Sequence, residues 1–292
     1  MYKATHFLSA QNGVGEGAVW SPEEQALYWI DMESDSFYRL HLATMQRETF
    51  SVGDSIGALA LRASGDLILA MRHGFASWDF STRKLTPLAN PEAERPDKRF
   101  NDGAIDCQGR FWAGSMREDE ALEPAEGTLY RLDPDGSVHT MDSGLLLPNG
   151  IAWNMASTLL YFTDSLARTI YVYDFDATTG TISNRRVFVS TPEADGLPDG
   201  LTIDDDDFLW SASWGGGRLT RYDPDGRVER VVSLPVPQVT SCAFGGPTRN
   251  ELFITSAHSG LSEADRRRYP LSGDLFHITT DITGQPRPRF QG

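Results

Sequence analysis

The chain has 292 residues, 40% of them hydrophobic and 11% aromatic, which is enough apolar material for a sizeable core and too little charge for disorder. Lys and Arg total 26 against 41 Asp and Glu, a net charge of −15. Such a field repels phosphate backbones and anionic membranes, excludes nucleic acid and lipid surfaces as expected partners, and favours cations. Cys107 and Cys242 are too few for a disulfide framework or a thiolate zinc site. Both stand in apolar, strand-like runs and are expected to be buried free thiols. No stretch reaches the ~18 consecutive apolar residues of a membrane span. The opening MYKATHFLSAQNG has neither an apolar leader core nor a cleavage pattern, so the expected setting is cytoplasmic, as a monomer or weak homo-oligomer.

The run ATHFLSA (4–10) belongs to no repeat. After it one pattern recurs six times: a short apolar run holding Gly or another small residue, a turn, an apolar strand and a further strand. The first copy is GEGAVW (15–20), ALYWID (26–31) and SFYRLHL (36–42); the second is IGALAL (56–61), LILAM (67–71) and GFASWDF (74–80). The third is NDGAID (101–106), FWAGSM (111–116) and GTLYRLD (127–133); the fourth is PNGIAW (148–153), LLYFTD (159–164) and TIYVYDF (169–175). The fifth is PDGLTID (198–204), FLWSAS (208–213) and RLTRYD (218–223); the sixth is TSCAFGG (240–246), LFITSA (252–257) and DLFHIT (274–279). The equivalent positions Leu27, Leu67, Phe111, Leu160, Leu209 and Leu252 are separated by 40, 44, 49, 49 and 43 residues. Periods of ~40–50 residues, filled with short β-rich runs and Gly, Asp, Pro and Asn turns, are those of propeller blades.

The predicted fold is therefore all-β: residues 1–292 form a single six-bladed β-propeller, and the N-terminal strand joins the last blade and closes the ring, which removes exposed sheet edges. A sandwich would leave the six aligned copies unexplained. One short helix is expected, where Ser262 and Asp265 make a capping-box pattern that Pro270 ends.

The first strand of each propeller blade lines the central channel. Aligned at the small residues Gly17, Gly57, Gly103, Gly150, Gly200 and Ser241, the preceding positions are Glu16, Ile56, Asp102, Asn149, Asp199 and Thr240. They are expected to ring one mouth. Four of them offer carboxylate or amide oxygens, the donors that suit calcium, magnesium or manganese. Asn-Gly and Asp-Gly are ordinary turn pairs, and any one alone would be read so; the recurrence in one register argues for a site. Spacing does not choose among the ring members. Asp102 fits the register, while Asn101 faces inward if a bulge shifts the strand. Asp204 to Asp207 reads as a solvated turn.

The stretches GEGAVW (15–20), KRFNDGAID (98–106), GRFWAGSM (109–116), GTLYRLDPDG (127–136), PNGIAW (148–153), YFTDS (161–165), PDGLTID (198–204), LWSASWGGGRLTRYDPDG (209–226) and LPVPQVTSCAFGG (234–246) resemble, in order, those of the SMP-30/gluconolactonase/luciferin-regenerating family. The resemblance implies six blades, one divalent metal (calcium, zinc, magnesium, manganese or iron(II)) on Glu16, Asn149 and Asp199, and substrate contacts from Arg99 and Asn101. It thereby selects Asn101 over Asp102. A further acidic substrate contact falls in GSMREDE, on Glu118 or Asp119, where spacing and residue type depart from the family.

The implied reaction is hydrolysis of a sugar lactone, with Asp199 as ligand and general base and Arg99 stabilising the developing oxyanion. A phosphotriesterase-like metal hydrolase and a non-enzymatic cation-binding propeller use a similar oxygen-rich site and are the alternatives. The polar run 118–126 is long enough for a lid. Trp210 is expected in the core, and Trp214, beside three glycines, on a sugar-stacking wall.

Overall fold

Short apolar runs cut by Gly, Asp and Pro leave no room for long helices, so backbone groups must be satisfied between neighbouring strands. The computed structural model describes residues 2–119 and 126–292, and these form six four-stranded antiparallel sheets. An N-terminal strand β1 (Thr5–Leu8) precedes blade one, which holds β2 (Gly15–Ser21), β3 (Ala26–Asp31), β4 (Ser36–His41) and β5 (Gln46–Ser51). Blade two holds β6 (Ile56–Leu61), β7 (Leu67–Met71), β8 (Gly74–Asp79) and β9 (Lys84–Ala89). Blade three holds β10 (Lys98–Ile105), β11 (Phe111–Arg117), β12 (Gly127–Leu132) and β13 (Val138–Leu145). Blade four holds β14 (Pro148–Trp153), β15 (Leu159–Asp164), β16 (Thr169–Asp176) and β17 (Thr181–Ser190). Blade five holds β18 (Leu197–Ile203), β19 (Leu209–Trp214), β20 (Arg218–Tyr222) and β21 (Val228–Ser233). Blade six holds β22 (Val239–Gly245), β23 (Glu251–Ser256) and β24 (Leu275–Thr279), with β1 as its outer strand through pairs such as His6 with Phe276. The expected closure of the ring is thus observed. The short helix α1 (Glu263–Arg268) is capped as expected, Ser262 Oγ accepting the Asp265 N–H at 3.1 Å.

Each blade is buried on both faces, which explains why its inner strands read as continuous apolar runs rather than as alternating ones. In β3, Ala26, Tyr28 and Ile30 pack toward blade two, while Leu27 and Trp29 pack toward blade six. A separate apolar core fills each of the six interfaces between blades. Every large side chain fully buried there contributes roughly 1.5–3 kcal/mol by removal of apolar area from water. Trp210 lies in one of these cores, as expected.

The inner strands β2, β6, β10, β14, β18 and β22 contact one another around the axis, and β22 returns to β2. They approach so closely that Gly57, Gly150 and Gly200 are required, whereas Gly17 is set by its left-handed φ of 58°. A Cβ on Gly150 would lie 2.5 Å from Leu201 N and 2.9 Å from Asp199 O, and one on Gly200 would lie 2.8 Å from Thr240 O. At this same level each inner strand slips register against its partner, between Glu16 and Val19, Phe100 and Gly103, Pro148 and Ile151, and Pro198 and Leu201. Such bulges re-aim side chains.

Two expectations are corrected. Cys107 is exposed, because it sits in the turn after β10 rather than in the strand; Cys242 is buried and free, and burial pushes its thiol up to about 12. Asp204 is not a solvated turn residue. It is fully buried and accepts hydrogen bonds from Trp210 Nε1 at 2.9 Å and Arg221 Nε at 2.8 Å, besides the N–H groups of Asp206 and Phe208. Asp106 repeats the device in blade three with Arg110 and Trp112. The lid assigned to 118–126 falls largely on residues outside those described.

The chain end crosses the channel. Gly284 N–H donates to Arg249 O at 2.8 Å, and Phe290 N–H donates to Leu61 O at 2.9 Å, so Gln285–Pro288 spans from blades five and six to blade two. This strap lies at the C-terminal ends of the inner strands.

The glycine ring yields a test. Gly150→Ala places a methyl against backbone that cannot retreat, and the expected loss is about 1–3 kcal/mol, read as a lower thermal midpoint. An unchanged midpoint would show that the strands can part.

Candidate functional site

The N-terminal ends of the inner strands open on a pocket of about 710 Å³, lined by Glu16, Arg99, Asn101, Asn149, Asp199 and Trp214 among others. Structural carboxylates hold the segments that lead into it. Asp31, at the end of β3, accepts the N–H groups of Gly13 and Val14, each at 3.0 Å, and so fixes the entry to Glu16. Asp164, at the end of β15, accepts those of Leu146 at 3.0 Å and Leu147 at 2.9 Å, and so fixes the entry to Asn149.

Glu16, Asn101, Asn149 and Asp199 are all buried. Asn149 Nδ2 donates to Ser165 Oγ at 3.0 Å, and Ser165 Oγ donates to Pro198 O at 2.6 Å. Because the Ser165 proton is committed to Pro198, its oxygen must accept from the amide, which fixes the amide orientation. The remaining Asn149 Oδ1 is buried and has no hydrogen-bond partner among the described residues. An orphaned buried acceptor is destabilising by about 1–3 kcal/mol unless something else binds it. Ser165 also ties Asn149 of blade four to the residue preceding Asp199 in blade five.

The bulge in β10 settles which neighbour faces the pocket. Asn101 lines it; Asp102 turns into the channel, accepts the Gly103 N–H at 2.6 Å and borders a void of about 10 Å³ with Ser241 and Arg287. Asn101 Nδ2 donates to Pro148 O at 2.7 Å, and its Oδ1 accepts from Arg99 Nη1 at 2.7 Å. Arg99 and Asn101 therefore act as one bonded unit on the pocket wall. Glu118 also lines the pocket and pairs with Arg72; Asp119 is exposed and is not part of the lining. Ile56 and Thr240, the other two ring positions, are fully buried, and Thr240 Oγ1 donates to Gly15 O at 2.6 Å.

The pocket concentrates negative charge. The Glu16 carboxyl is held well above the ordinary carboxylate range, first by burial and then by repulsion from Asp199 and Asp102. Asp102 is pushed up to about 6, chiefly by burial, while the Gly103 N–H and the Arg287 charge oppose the shift. Two carboxylates and an uncompensated amide oxygen, drawn from blades one, four and five, are the donor set a hard divalent cation takes. Among the described residues no three His, Cys, Asp or Glu converge; the third donor here is an amide. The donor set and the orphaned oxygen fit a cation. Ser165 and Arg72 were missed by sequence reasoning. Ser165 stood within the quoted YFTDS stretch, whereas nothing local marked Arg72.

The raised Glu16 carboxyl has a stability consequence. Between the unfolded value near 4.5 and its higher folded value, the folded chain holds the extra proton, so stability falls as pH rises through that window. Metal-stripped Glu16→Gln is expected to melt higher than the parent at pH 8, by about 2–4 °C for each kcal/mol relieved, and the difference should shrink toward pH 4.5. A lower or equal midpoint at pH 8 would deny the strain.

Comparison with known proteins agrees with this fold. The profile described as SMP-30/Gluconolactonase/LRE-like region matches residues 14–258. The chain is 37% identical over 270 residues to regucalcin of Xenopus laevis, covering 91% of this chain and 90% of the relative. It is 36% identical over 291 residues to the pentonolactonase XacC of Haloferax volcanii, covering 98% and 97%. Among solved structures, a luciferin-regenerating enzyme superposes with a TM-score of 0.93 at 29% identity, over 100% of both chains. The calcium-binding protein regucalcin of Agrobacterium tumefaciens superposes with a TM-score of 0.95 at 26% identity, over 100% of this chain and 99% of that one. A six-bladed propeller with an oxygen-donor pocket at one mouth, matched along nearly its whole length by these proteins, belongs to the SMP-30/gluconolactonase/luciferin-regenerating-enzyme-like family.

Proposed function

We propose that this chain hydrolyses a sugar lactone, an aldonolactone of five or six carbons such as glucono-, xylono- or arabinonolactone, to its aldonic acid, with one divalent cation held by Glu16, Asn149 and Asp199. The observation that carries the reading is the buried Asn149 Oδ1 without a partner, beside Glu16 and Asp199. The lactonase name of one relative supports the reaction class. Calcium is the favoured cation, because two relatives bear the names regucalcin and calcium-binding protein and the donors are all oxygens.

A cation held by Glu16, Asn149 and Asp199 would supply Lewis acidity and a water of lowered pKa. The chain's own residues do the rest. Arg99 and Asn101, already bonded to each other, present N–H donors that orient the sugar hydroxyls. The Arg99 guanidinium stabilises the oxyanion as water adds to the lactone carbonyl. Asp199 takes the proton of the attacking water and returns it to the ring oxygen as the carbon–oxygen bond breaks, leaving a hydroxyl and a carboxylic acid that ionises. Glu118 and Trp214 stand further out and shape the entry.

The decisive assay is acid release from a panel of aldonolactones by chelated protein and after each divalent cation is restored. Cation-dependent release on one sugar lactone is expected. Its absence on every lactone, with a cation demonstrably bound, would leave the binding-protein or phosphotriester reading. Asp199→Asn is expected to lower kcat by about 10²–10⁴-fold, and near-normal turnover with cation bound would remove it as base. Ser165→Ala frees the Asn149 amide to turn and should weaken cation affinity by about 10–100-fold in a calorimetric titration; unchanged affinity would detach Asn149 from the site.

A further inference from the structure

The opposite end of the channel holds a second cavity, of about 270 Å³. Its walls are the C-terminal halves of the inner strands, including Leu59, Ile105, Ile151 and Ile203, and its roof is the strap Gln285–Pro288. The strap is not loose. Besides its backbone bonds at both ends, Thr283 Oγ1 donates to Asp205 at 2.6 Å, and Phe290 is buried in the core between blades two and three. Pro286 and Pro288 flank Arg287 and fix φ on both sides of it, so the arginine is carried on a stiff span.

Arg287 borders both this cavity and the void beneath it. A guanidinium carries five N–H donors. The one side-chain hydrogen bond it makes among the described residues runs from Nη2 to Thr202 Oγ1 at 3.3 Å. Asp102 and Cys242 act on it only through the field, and Cys242 is a neutral thiol. Among the described residues no carboxylate pairs with it at salt-bridge distance, unlike Arg110 and Arg221, whose guanidiniums close on Asp106 and Asp204 at 2.6 and 2.7 Å. Arg287 is exposed, with its guanidinium open to the cavity and to water, and among the described residues no carboxylate supplies it a planar two-oxygen partner.

We infer that the rear cavity is a second binding site, for a small monocarboxylate with an aliphatic body. The carboxylate pairs side-on with the Arg287 guanidinium, the geometry in which two parallel N–H···O bonds form. The alkyl chain lies against Leu59, Ile105, Ile151 and Ile203. A more highly charged anion is disfavoured, because the cavity offers one cationic side chain, Asp102 lies just beneath it, and the whole chain carries −15. The cavity is lined mostly by apolar residues, with Asn154, Ser157, Thr202 and Gln285 as neutral polar groups and Arg287 as its one charge, a composition usual for a small-molecule site. It stands at the far mouth from Glu16, Asn149 and Asp199 and does not depend on the lactonase reading.

The test is calorimetric titration of octanoate into the full chain stripped of metal. One equivalent is expected to bind with a Kd of roughly 1 mM or tighter. Arg287→Gln should weaken this by about 2–5-fold, the worth of an exposed ion pair, and octanol should bind the parent protein more weakly than octanoate by a similar factor. Ala104→Leu, which fills part of the lining, should also weaken binding while the thermal midpoint stays that of the folded chain. Asp199→Asn should bind octanoate as the parent does. No heat with octanoate, equal affinity for octanol, or binding lost in Asp199→Asn or seen only with metal restored would each overturn the assignment. Should Arg287→Gln fail to fold, the octanol comparison and Ala104→Leu decide it.

Discussion

Six strands converge on one axis closely enough that backbone meets backbone, and much of this protein answers to that crowding. Where β14 passes β18, a single methyl on Gly150 would enter the space of Leu201 N. Small residues are therefore fixed at one level of the ring. The same crowding forces each inner strand out of register with its partner there. The register slip frees a side chain from the alternation of the sheet and lets it point along the channel. The pocket is thus a product of the packing that closes the propeller. Asn149 and Asp199 each stand next to a glycine that this packing demands, and Glu16 next to one held at a left-handed φ of 58°.

The fold uses carboxylates in two opposed ways. Asp31, Asp106, Asp164 and Asp204 are buried and saturated by N–H groups, from backbone or from Arg and Trp side chains. Saturated in this way, they act as rigid pins between a strand end and the next segment. Glu16 is the contrast. Its hydrogen bond is to the N–H of Gly17, and two further carboxylates repel it, so its charged form is held at a disadvantage. Burial alone does not separate the two groups; the supply of donors does. Stability spent on strained groups at one locus, while equivalent groups elsewhere are satisfied, is the usual mark of a site.

The sequence was most readable where local chemistry repeats. Six copies of one pattern, and turn residues between them, were enough for the all-β propeller and for the N-terminal strand in blade six. The ring at one mouth was readable for the same reason, because aligned glycines report strand crowding. The choice of Asn101 over Asp102 was open to spacing alone, since a bulge shifts the count by one residue and leaves no compositional trace. Asp204 was misread because an acidic run looks solvated until its partners are known, and Arg221 stands 17 residues away. Cys107 was misread by a boundary error, a turn taken as strand. Ser165, Arg72 and Arg287 act at the site or the rear cavity only through three-dimensional closure, each from a different blade or tail.

A closed propeller has two mouths, and their chemistry here is unequal. At the front the strand starts present oxygens, on side chains following Gly15, Pro148 and Pro198, set among Val14, Met32, Leu147 and Leu197. At the rear the same strands have entered the interblade cores, so what they present is aliphatic. The inequality follows from strand direction, because all six inner strands run the same way and Glu16, Asn101, Asn149 and Asp199 sit in the first halves of theirs. A channel built so would connect an acidic pocket to solvent at both ends. The strap and Arg287 stand across the rear exit, with the guanidinium facing the void that Asp102 borders. Its positive charge opposes the upward shift of Asp102, which in turn acts on Glu16. The chain end therefore belongs to the electrostatics of the channel as well as to its covering, because the Arg287 charge acts on Asp102.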